Sequence, residues 1–223
     1  IDNLSTGYEY CVPSGVELIK GDCADPQILR KLNDKRFDAV FHIAGQSSGE
    51  VSFEDPTKDL RDNTESTLLL LDYCLKHDCQ RFIYASTMSV YGTNDVENVD
   101  EDTICNPIGI YGSLKYAAEK IIKSYNQVFD LPYTIIRPSA LYGERCISRR
   151  VGQIFIENAL TNREIIINGD GNEKLDFTYI KDLANGSVLA ARSKKGVNEI
   201  FNITCGKGQT LLSYVIYLKK KFP

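Results

Sequence analysis

The stretch YGSLK, residues 111–115, contains the pair of side chains whose chemistry is easiest to specify. Tyr111 and Lys115 are four residues apart, so in a helix they would lie on one face, roughly 6 Å apart along its axis. An ammonium group at that distance stabilises a phenolate and lowers the pKa of a tyrosine from its usual value of about 10. The pair could therefore act as a general base. A surface helix with an extended lysine is the alternative interpretation of the same spacing.

Hydroxyl side chains come before this pair, in the stretch YASTMSVYG at residues 84–92. Ser86, Thr87 and Ser89 lie at the end of an apolar run that predicts a strand. Open α/β sheets bind ligands beyond the carboxyl ends of their strands. A hydroxyl there could hydrogen bond to the substrate oxygen that Tyr111 deprotonates. A turn closed by Ser and Thr side chains is the alternative.

The elements that must position these residues follow an alternating pattern. Apolar runs rich in β-branched and aromatic residues predict strands at VELIKGD (16–22), FDAVFHIAG (37–45), RFIYAST (81–87) and YTIIRPSALYG (133–143). Between them, residues at spacings of three and four predict amphipathic helices over 59–78, through Leu60, Thr64, Leu68, Leu71 and Leu75, and over 113–129. This alternation indicates an α/β fold with a doubly wound parallel sheet covered on both faces.

The pattern changes after Gly143. A basic loop, ERCISRR, is followed by a predicted helix near 151–161, a strand EIIING at 164–169, a turn DGN, and a further strand and helix that reach Arg192. We expect residues 1–143 to form the main domain. Residues 144–223 are expected to form a smaller lobe, interleaved with the sheet and lying at its carboxyl edge.

Composition limits the classes of partner. The 223 residues carry a net charge of −4 and a pI near 5.3, which argues against a nucleic-acid-binding protein because such a protein needs a basic face. The longest apolar runs are far shorter than a membrane span, and no export signal is recognisable. A small molecule is therefore the expected partner.

Cysteine and histidine usage gives no metal signature. The seven cysteines contain no CxxC pair, and the chain has two histidines. We expect reduced thiols, a cytoplasmic location and no bound metal.

Nine segments, taken in order, resemble the NAD-dependent epimerase/dehydratase family, the extended short-chain dehydrogenase/reductases that act on nucleotide sugars. They are DNLSTG, GDCAD, HIAG, DNTEST, YASTMSVYG, YGSLK, IIRPSALYG, GDGNEKLDFTYIKD and FNITCGKG. The resemblance spans nearly the whole chain. It implies a Rossmann-like NAD-binding domain and a partial nucleotide-sugar-binding lobe.

The resemblance also implies which residues bind the cofactor. Asp2 and Asn3 match the pair at the adenosine ribose, where an acidic residue favours NAD over NADP. The other matching positions are Asp22, Cys23, Ile43, Ala44, Gly45, Gln46, Asn63, Lys115 and Ser139.

By the same resemblance, Thr87, Tyr111 and Lys115 are the catalytic residues. Tyr111 would take a proton from a sugar hydroxyl while hydride passes from that carbon to NAD, and return of hydride to the other face of the ketone would complete an epimerisation. The implied activity is that of a UDP-hexose 4-epimerase, with a homodimer as the expected assembly. The alternatives are a nucleotide-sugar reductase or dehydrogenase, and a non-catalytic NAD-binding relative or inactive fragment.

Some positions depart from the family pattern. Met88 and Ser89 stand where dehydratases have an Asp-Glu pair, which disfavours 4,6-dehydration. Leu175 replaces a common arginine ligand of the substrate diphosphate, and Ala140 replaces an asparagine. The positive charge that binds the diphosphate could come instead from three loop arginines, Arg145, Arg149 and Arg150. Alternatively, these arginines could belong to a solvated basic loop.

The family's glycine-rich phosphate loop is expected about 20 residues before the ribose acid. None of the sixteen glycines supplies a GxxGxxG motif. The sequence ends at KKKFP, where relatives continue. We therefore expect this chain to be a segment of a longer enzyme, without the first strand and helix of its sheet.

Overall fold

The computed structural model describes residues 1–93, 98–146 and 150–222. The chain divides into two compact units, one comprising Ile1–Arg137 and Val188–Asn202 and the other comprising Pro138–Ser187 and Ile203–Pro223. The boundary expected from the sequence lies between residues 143 and 144. The units divide earlier because Ala140–Tyr142 pairs with a strand of the second unit.

The elements are numbered in chain order. The helices are α1 (Pro26–Arg30), α2 (Gly49–Glu54), α3 (Pro56–Leu60), α4 (Ser66–Lys76), α5 (Ile110–Phe129), α6 (Val151–Leu160), α7 (Ile180–Arg192) and α8 (Leu211–Lys221). The strands are β1 (Ala39–His42), β2 (Arg81–Ala85), β3 (Tyr133–Pro138), β4 (Ala140–Tyr142), β5 (Lys174–Tyr179), β6 (Glu199–Ile203) and β7 (Gly208–Thr210). A π-helical turn, Arg61–Glu65, joins α3 to α4, and short 3-10 turns occupy Glu9–Cys11, Met88–Tyr91 and Lys194–Gly196.

A four-stranded sheet in the order β1-β2-β3-β6 forms the centre of the first unit. β1 and β2 run parallel with Val40 beside Phe82, and β2 and β3 run parallel with Ile83 beside Thr134. Phe82, Ile83 and Tyr84 have no exposed surface. Burial of both faces explains why β2 is apolar from Phe82 to Ala85. The predicted α/β class, a Rossmann-like parallel sheet flanked by helices, is confirmed.

Helices α4 and α5 cover the core of this unit. Leu71 and Cys74 of α4 pack in one buried cluster with Ile122 of α5. The register predicted for 59–78 is partly wrong, because Leu60 and Leu68 are exposed. Instead, α4 also buries small polar residues: the hydroxyls of Ser66 and Thr67 hydrogen bond to His42 Nε2 at 3.2 and 3.1 Å. A hydrophobic pattern alone does not reveal a polar face of this kind.

Three predicted strands differ from the structure. Residues 16–22 form only an isolated bridge, Lys20 beside Asp2, and residues 164–169 form no strand. A strand requires a partner along its length as well as a suitable sequence, and the described residues provide none for these two segments beyond that bridge. The run 133–143 divides into β3 and β4, which belong to different sheets.

The second unit contains a smaller sheet in the order β4-β5-β7, in which β4 and β5 are parallel and β5 and β7 antiparallel. Its core lies between α6 and α8, where Phe155 packs with Leu211, Val215 and Leu218. Phe177 of β5 packs against this cluster.

All seven cysteines are free thiols. Among the described helices, none has both the length and the apolarity that a membrane crossing requires.

Candidate active site

The first turns of α5 place Tyr111 and Lys115 beside the end of β2. Lys115 is 4% exposed, its Nζ donates to Ala85 O at 3.0 Å, and it lies 4.9 Å from the centre of the Tyr84 ring. Burial lowers the pKa of Lys115 to about 8, although nearby Asp59 raises it. The alternative interpretation, a surface helix with an extended lysine, is therefore wrong, because the ammonium is held inside the protein.

Tyr111 lies one turn before Lys115 and is half-buried. It is close to Tyr84, whose pKa is raised well above 10, first by burial and then by the charge that Tyr111 carries when ionised. Gly112 lets α5 approach the segment after β2, since a Cβ at this position would lie 2.8 Å from Ser89 O. The phenol and the ammonium are thus brought to the same end of β2.

Thr87 follows β2 and is 9% exposed. Its Oγ1 accepts a hydrogen bond from Ser89 N and donates to Ser89 Oγ, both at 3.2 Å. These bonds cap the 3-10 turn Met88–Tyr91. Thr87 therefore forms the predicted Ser/Thr turn, and that turn lies at the carboxyl end of β2.

The residues predicted at the adenosine end form a second group. Asp2 is exposed; its backbone pairs with Ile19 and Gly21, and its carboxylate accepts from Leu4 N at 2.7 Å. Asn3 is also exposed and caps the same loop by accepting from Ser5 N. This loop leaves the Asp2 carboxylate at the surface.

Asp22 and Cys23 lie after the segment that bridges to Asp2. The Asp22 carboxylate accepts from Ala24 N at 2.8 Å and pairs with Arg61 at 2.9 Å. Cys23 is half-buried, and burial followed by the charge of Asp22 raises the pKa of its thiol. The thiol therefore has little thiolate character.

The loop Ile43–Gln46 leaves the end of β1 and is held by Asn63. Asn63 is fully buried, and its Nδ2 donates to Gln46 O at 2.9 Å. Gly45 has a φ of +145°, and a Cβ there would lie 2.3 Å from Asn63 Oδ1. Ala44 and Gly45 are exposed, and Ile43 is 62% exposed. The loop thus presents backbone and an apolar side chain at the carboxyl end of a parallel strand.

Ser139 belongs to the second unit, and its hydroxyl is engaged within that unit. Its Oγ donates to Asp176 O at 2.6 Å and shares a hydrogen bond of 2.8 Å with Thr178 Oγ1. Ala140 begins β4, and Leu175 packs against the apolar cluster of the second unit.

A cavity of about 620 Å³ lies in the second unit. Its lining includes Tyr142, Glu144, Arg145 and Tyr179. A hydrogen bond from Lys181 lowers the pKa of Glu144 to about 2. Arg150 is exposed immediately before α6, and Arg149 lies outside the described residues.

Sequence reasoning missed two buried carboxylates. Asp59 is fully buried; Ser52 Oγ donates to its Oδ2 and Asn63 Nδ2 to its Oδ1. Glu119 is fully buried and pairs with Arg137 of β3. The only sequence signal was helical spacing, since Asp59 precedes Asn63 by four residues and Glu119 follows Lys115 by four.

Comparisons with known proteins agree with the geometry. Residues 1–204 match the profile described as the NAD dependent epimerase/dehydratase family. The chain is 36% identical over 211 residues to a putative UDP-glucose 4-epimerase of Methanocaldococcus jannaschii, covering 93% of this chain and 68% of that protein.

Two solved structures are similar to this chain. One is a UDP-glucose 4-epimerase from Thermotoga maritima with UDP-glucose, at a TM-score of 0.94 and 32% identity, covering 98% of this chain and 72% of that chain. The other is a UDP-glucose 4-epimerase from Thermus thermophilus in complex with NAD, at a TM-score of 0.90 and 29% identity, covering 98% and 73%.

Proposed function

The chain belongs to the NAD-dependent epimerase/dehydratase family, and on that premise we propose that it is an NAD-dependent epimerase acting on a UDP-hexose. One observation carries the proposal. Lys115, four residues after Tyr111, is buried and bonded to Ala85, two residues before Thr87. A buried ammonium at the same strand end as a phenol and a hydroxyl is suited to moving a proton on and off a sugar oxygen.

The first unit has features that fit NAD. The exposed Asp2 carboxylate can accept from ribose hydroxyls. The loop with Gly45 and the exposed Ile43 can lie along the cofactor. Lys115 has further N–H groups besides the one bonded to Ala85 O, and these can donate to a ribose. When bound, NAD supplies a reversible hydride acceptor for a sugar carbon.

We also assign Asp22, Cys23, Gln46 and Asn63 of the first unit to the cofactor, and the assignment of Ser139 rests on the family resemblance alone. Asn63 acts through the loop, because its amide holds Gln46 O. The Asp22 carboxylate, which Arg61 orients through an ion pair, can accept a hydrogen bond from the adenine of NAD.

Tyr111 takes the proton from the sugar hydroxyl as that carbon is oxidised to a ketone. The charge of Lys115 stabilises the phenolate that makes this possible. The Thr87 hydroxyl can donate to the same sugar oxygen by turning its hydrogen away from Ser89 Oγ. After the ketone turns its other face, it would regain the hydride on that face and the proton from Tyr111, so the reaction would consume no cofactor.

Neither Met88 nor Ser89 carries a carboxylate. Elimination of water needs an additional acid and base near the sugar. The turn Met88–Tyr91 supplies none, which supports epimerisation over 4,6-dehydration.

We assign nucleotide-sugar binding to the second unit. Its cavity of about 620 Å³ has the size of a small-molecule site. Arg145, in the cavity lining, can contact a diphosphate. Leu175, which packs in the apolar cluster, cannot.

A homodimer and a cytoplasmic location complete the proposal. Exposed apolar side chains on α4 and α5, among them Leu68, Val128 and Phe129, support self-association. Seven free thiols are typical of a reducing compartment.

The direct experiment supplies the protein with UDP-glucose and NAD, and follows both sugar products and the absorbance of reduced nicotinamide. We expect UDP-galactose to form without net reduction of NAD. Stoichiometric reduced nicotinamide would instead identify a dehydrogenase, the alternative chemistry on the same site. Binding of NAD without turnover of any nucleotide sugar would identify a non-catalytic relative.

A further inference from the structure

A buried ion pair lies behind the candidate catalytic residues. Glu119 has no exposed surface, and Arg137 is 2% exposed. Arg137 Nε donates to Glu119 Oε1 at 3.0 Å, and Nη2 donates to Oε2 at 2.6 Å. This two-point geometry fixes the orientation of both groups.

Glu119 connects α5 to the segment after β2. It follows Lys115 by four residues and Tyr111 by eight, so the three side chains share one helix face. Ser86 Oγ donates to Glu119 Oε1. Ser86 lies between Ala85, whose carbonyl accepts from Lys115, and Thr87. Two adjacent hydrogen bonds therefore tie the helix to the residues immediately before Thr87.

Arg137 holds the other end of the same segment. Its Nη1 donates to the hydroxyl of Tyr91 at 2.7 Å, and that hydroxyl donates to Asn202 Oδ1 at 2.8 Å. Tyr91 is the last residue of the 3-10 turn that Thr87 caps. The segment 86–91 is thus fastened at its start to Glu119 and at its end to Arg137.

A buried ion pair is not needed for stability alone, because well-packed apolar residues of similar volume are often at least as stabilising. Unlike apolar side chains, the ion pair makes directional hydrogen bonds, and each bond specifies where a hydroxyl must lie. The charge of Glu119 also favours the charged form of Lys115, opposing the effect of burial.

We propose that Glu119 and Arg137 are positioning residues for the epimerase reaction, which set Thr87 at a fixed place relative to Tyr111 and Lys115. This role rests on the proposed function. The pair does not touch the substrate and acts through Ser86 and Tyr91. Small displacements of a catalytic hydroxyl reduce the rate strongly, whereas substrate binding depends on other groups.

Two variants test the proposal. Ser86→Ala removes one bond and little volume. The double variant Glu119→Leu with Arg137→Met replaces the pair by apolar side chains, so that the protein can still fold. The matched control is Tyr125→Phe, also on α5, which removes a bond of 2.6 Å to Asp72 away from segment 86–91.

We expect kcat to fall by roughly 10-fold in Ser86→Ala and about 100-fold in the double variant. KM for the nucleotide sugar should stay within about twofold, and Tyr125→Phe should keep the wild-type kcat. A folded double variant whose kcat is within about twofold of wild type would overturn the proposal.

Hydrogen exchange of the amides of Ser89 and Gly92 provides a readout that does not depend on turnover. Both amides are bonded within the segment turn. Their exchange should accelerate in the double variant and stay unchanged in Tyr125→Phe. Unchanged exchange in the double variant would refute the positioning role, whether or not the wild-type protein is an active epimerase. Inactivity of the wild-type protein as an epimerase would refute only the proposed function.

Discussion

At the scale of single residues, the central feature is a charge in an unfavourable place. Lys115 is 4% exposed, and burial lowers its pKa to about 8. A lysine in an unfolded chain keeps its proton up to a pH of about 10. Between these two values the unfolded chain binds more protons than the folded one, so folding stability rises with pH across this window. The charged form is retained at neutral pH at a cost to stability, which is characteristic of functional groups.

Lys115→Met should separate stability from activity. At about pH 7 we expect the free energy of unfolding of the variant to be higher than that of wild type by roughly 1–3 kcal/mol, because a buried charge is removed. The variant should therefore unfold at a higher urea concentration. The rise of stability between about pH 8 and pH 10 should disappear. Epimerase activity should fall at least about 100-fold.

Urea titrations at about pH 7, pH 8 and pH 10 measure the stability, and steady-state kinetics measure the activity. Lys120→Met, at an exposed position on the same helix, is the control. It should change neither the free energy of unfolding nor the epimerase activity. A Lys115→Met protein that is less stable at neutral pH would show that the ammonium stabilises the fold.

At the scale of elements, the sequence predicts the parallel sheet and the two long helices because their apolar periodicities are local properties. Segments 16–22 and 164–169 have the same composition as strands but lack continuous partners, and pairing is not local. Glu119 could not be singled out, since a charged helical residue is by default solvated. Its burial depends on Arg137, which approaches only when β3 packs beside α5.

A second prediction concerns Gly45, in the loop after β1. Gly45→Ala would place a Cβ 2.3 Å from Asn63 Oδ1 at a φ of +145°, which an L side chain rarely adopts. We expect the loop to shift and NAD affinity to fall at least about 10-fold, measured by calorimetry. Gly49→Ala is the matched control, because nothing lies within 4 Å of its added Cβ. Equal NAD affinity in both variants would remove this loop from the cofactor site.

At the scale of the whole molecule, the apolar side chains exposed on α4 and α5 bear on assembly. If Leu68 lies in a dimer interface, Leu68→Lys should shift the protein from dimer to monomer in sedimentation equilibrium. Leu189→Lys, at a residue of α7 that is 69% exposed, should leave the mass unchanged. A wild-type protein that sediments as a monomer at micromolar concentration would contradict the dimer.

The proposed epimerisation of a UDP-hexose depends above all on Tyr111, which moves the proton. The most direct measurement compares conversion of UDP-glucose to UDP-galactose by wild type, Tyr111→Phe and Tyr116→Phe, the last being half-buried on the same helix. We expect Tyr111→Phe to lose about 10²–10⁴-fold in kcat and still to bind UDP-glucose, while Tyr116→Phe turns over normally. Turnover of Tyr111→Phe at the wild-type rate would contradict this role of Tyr111.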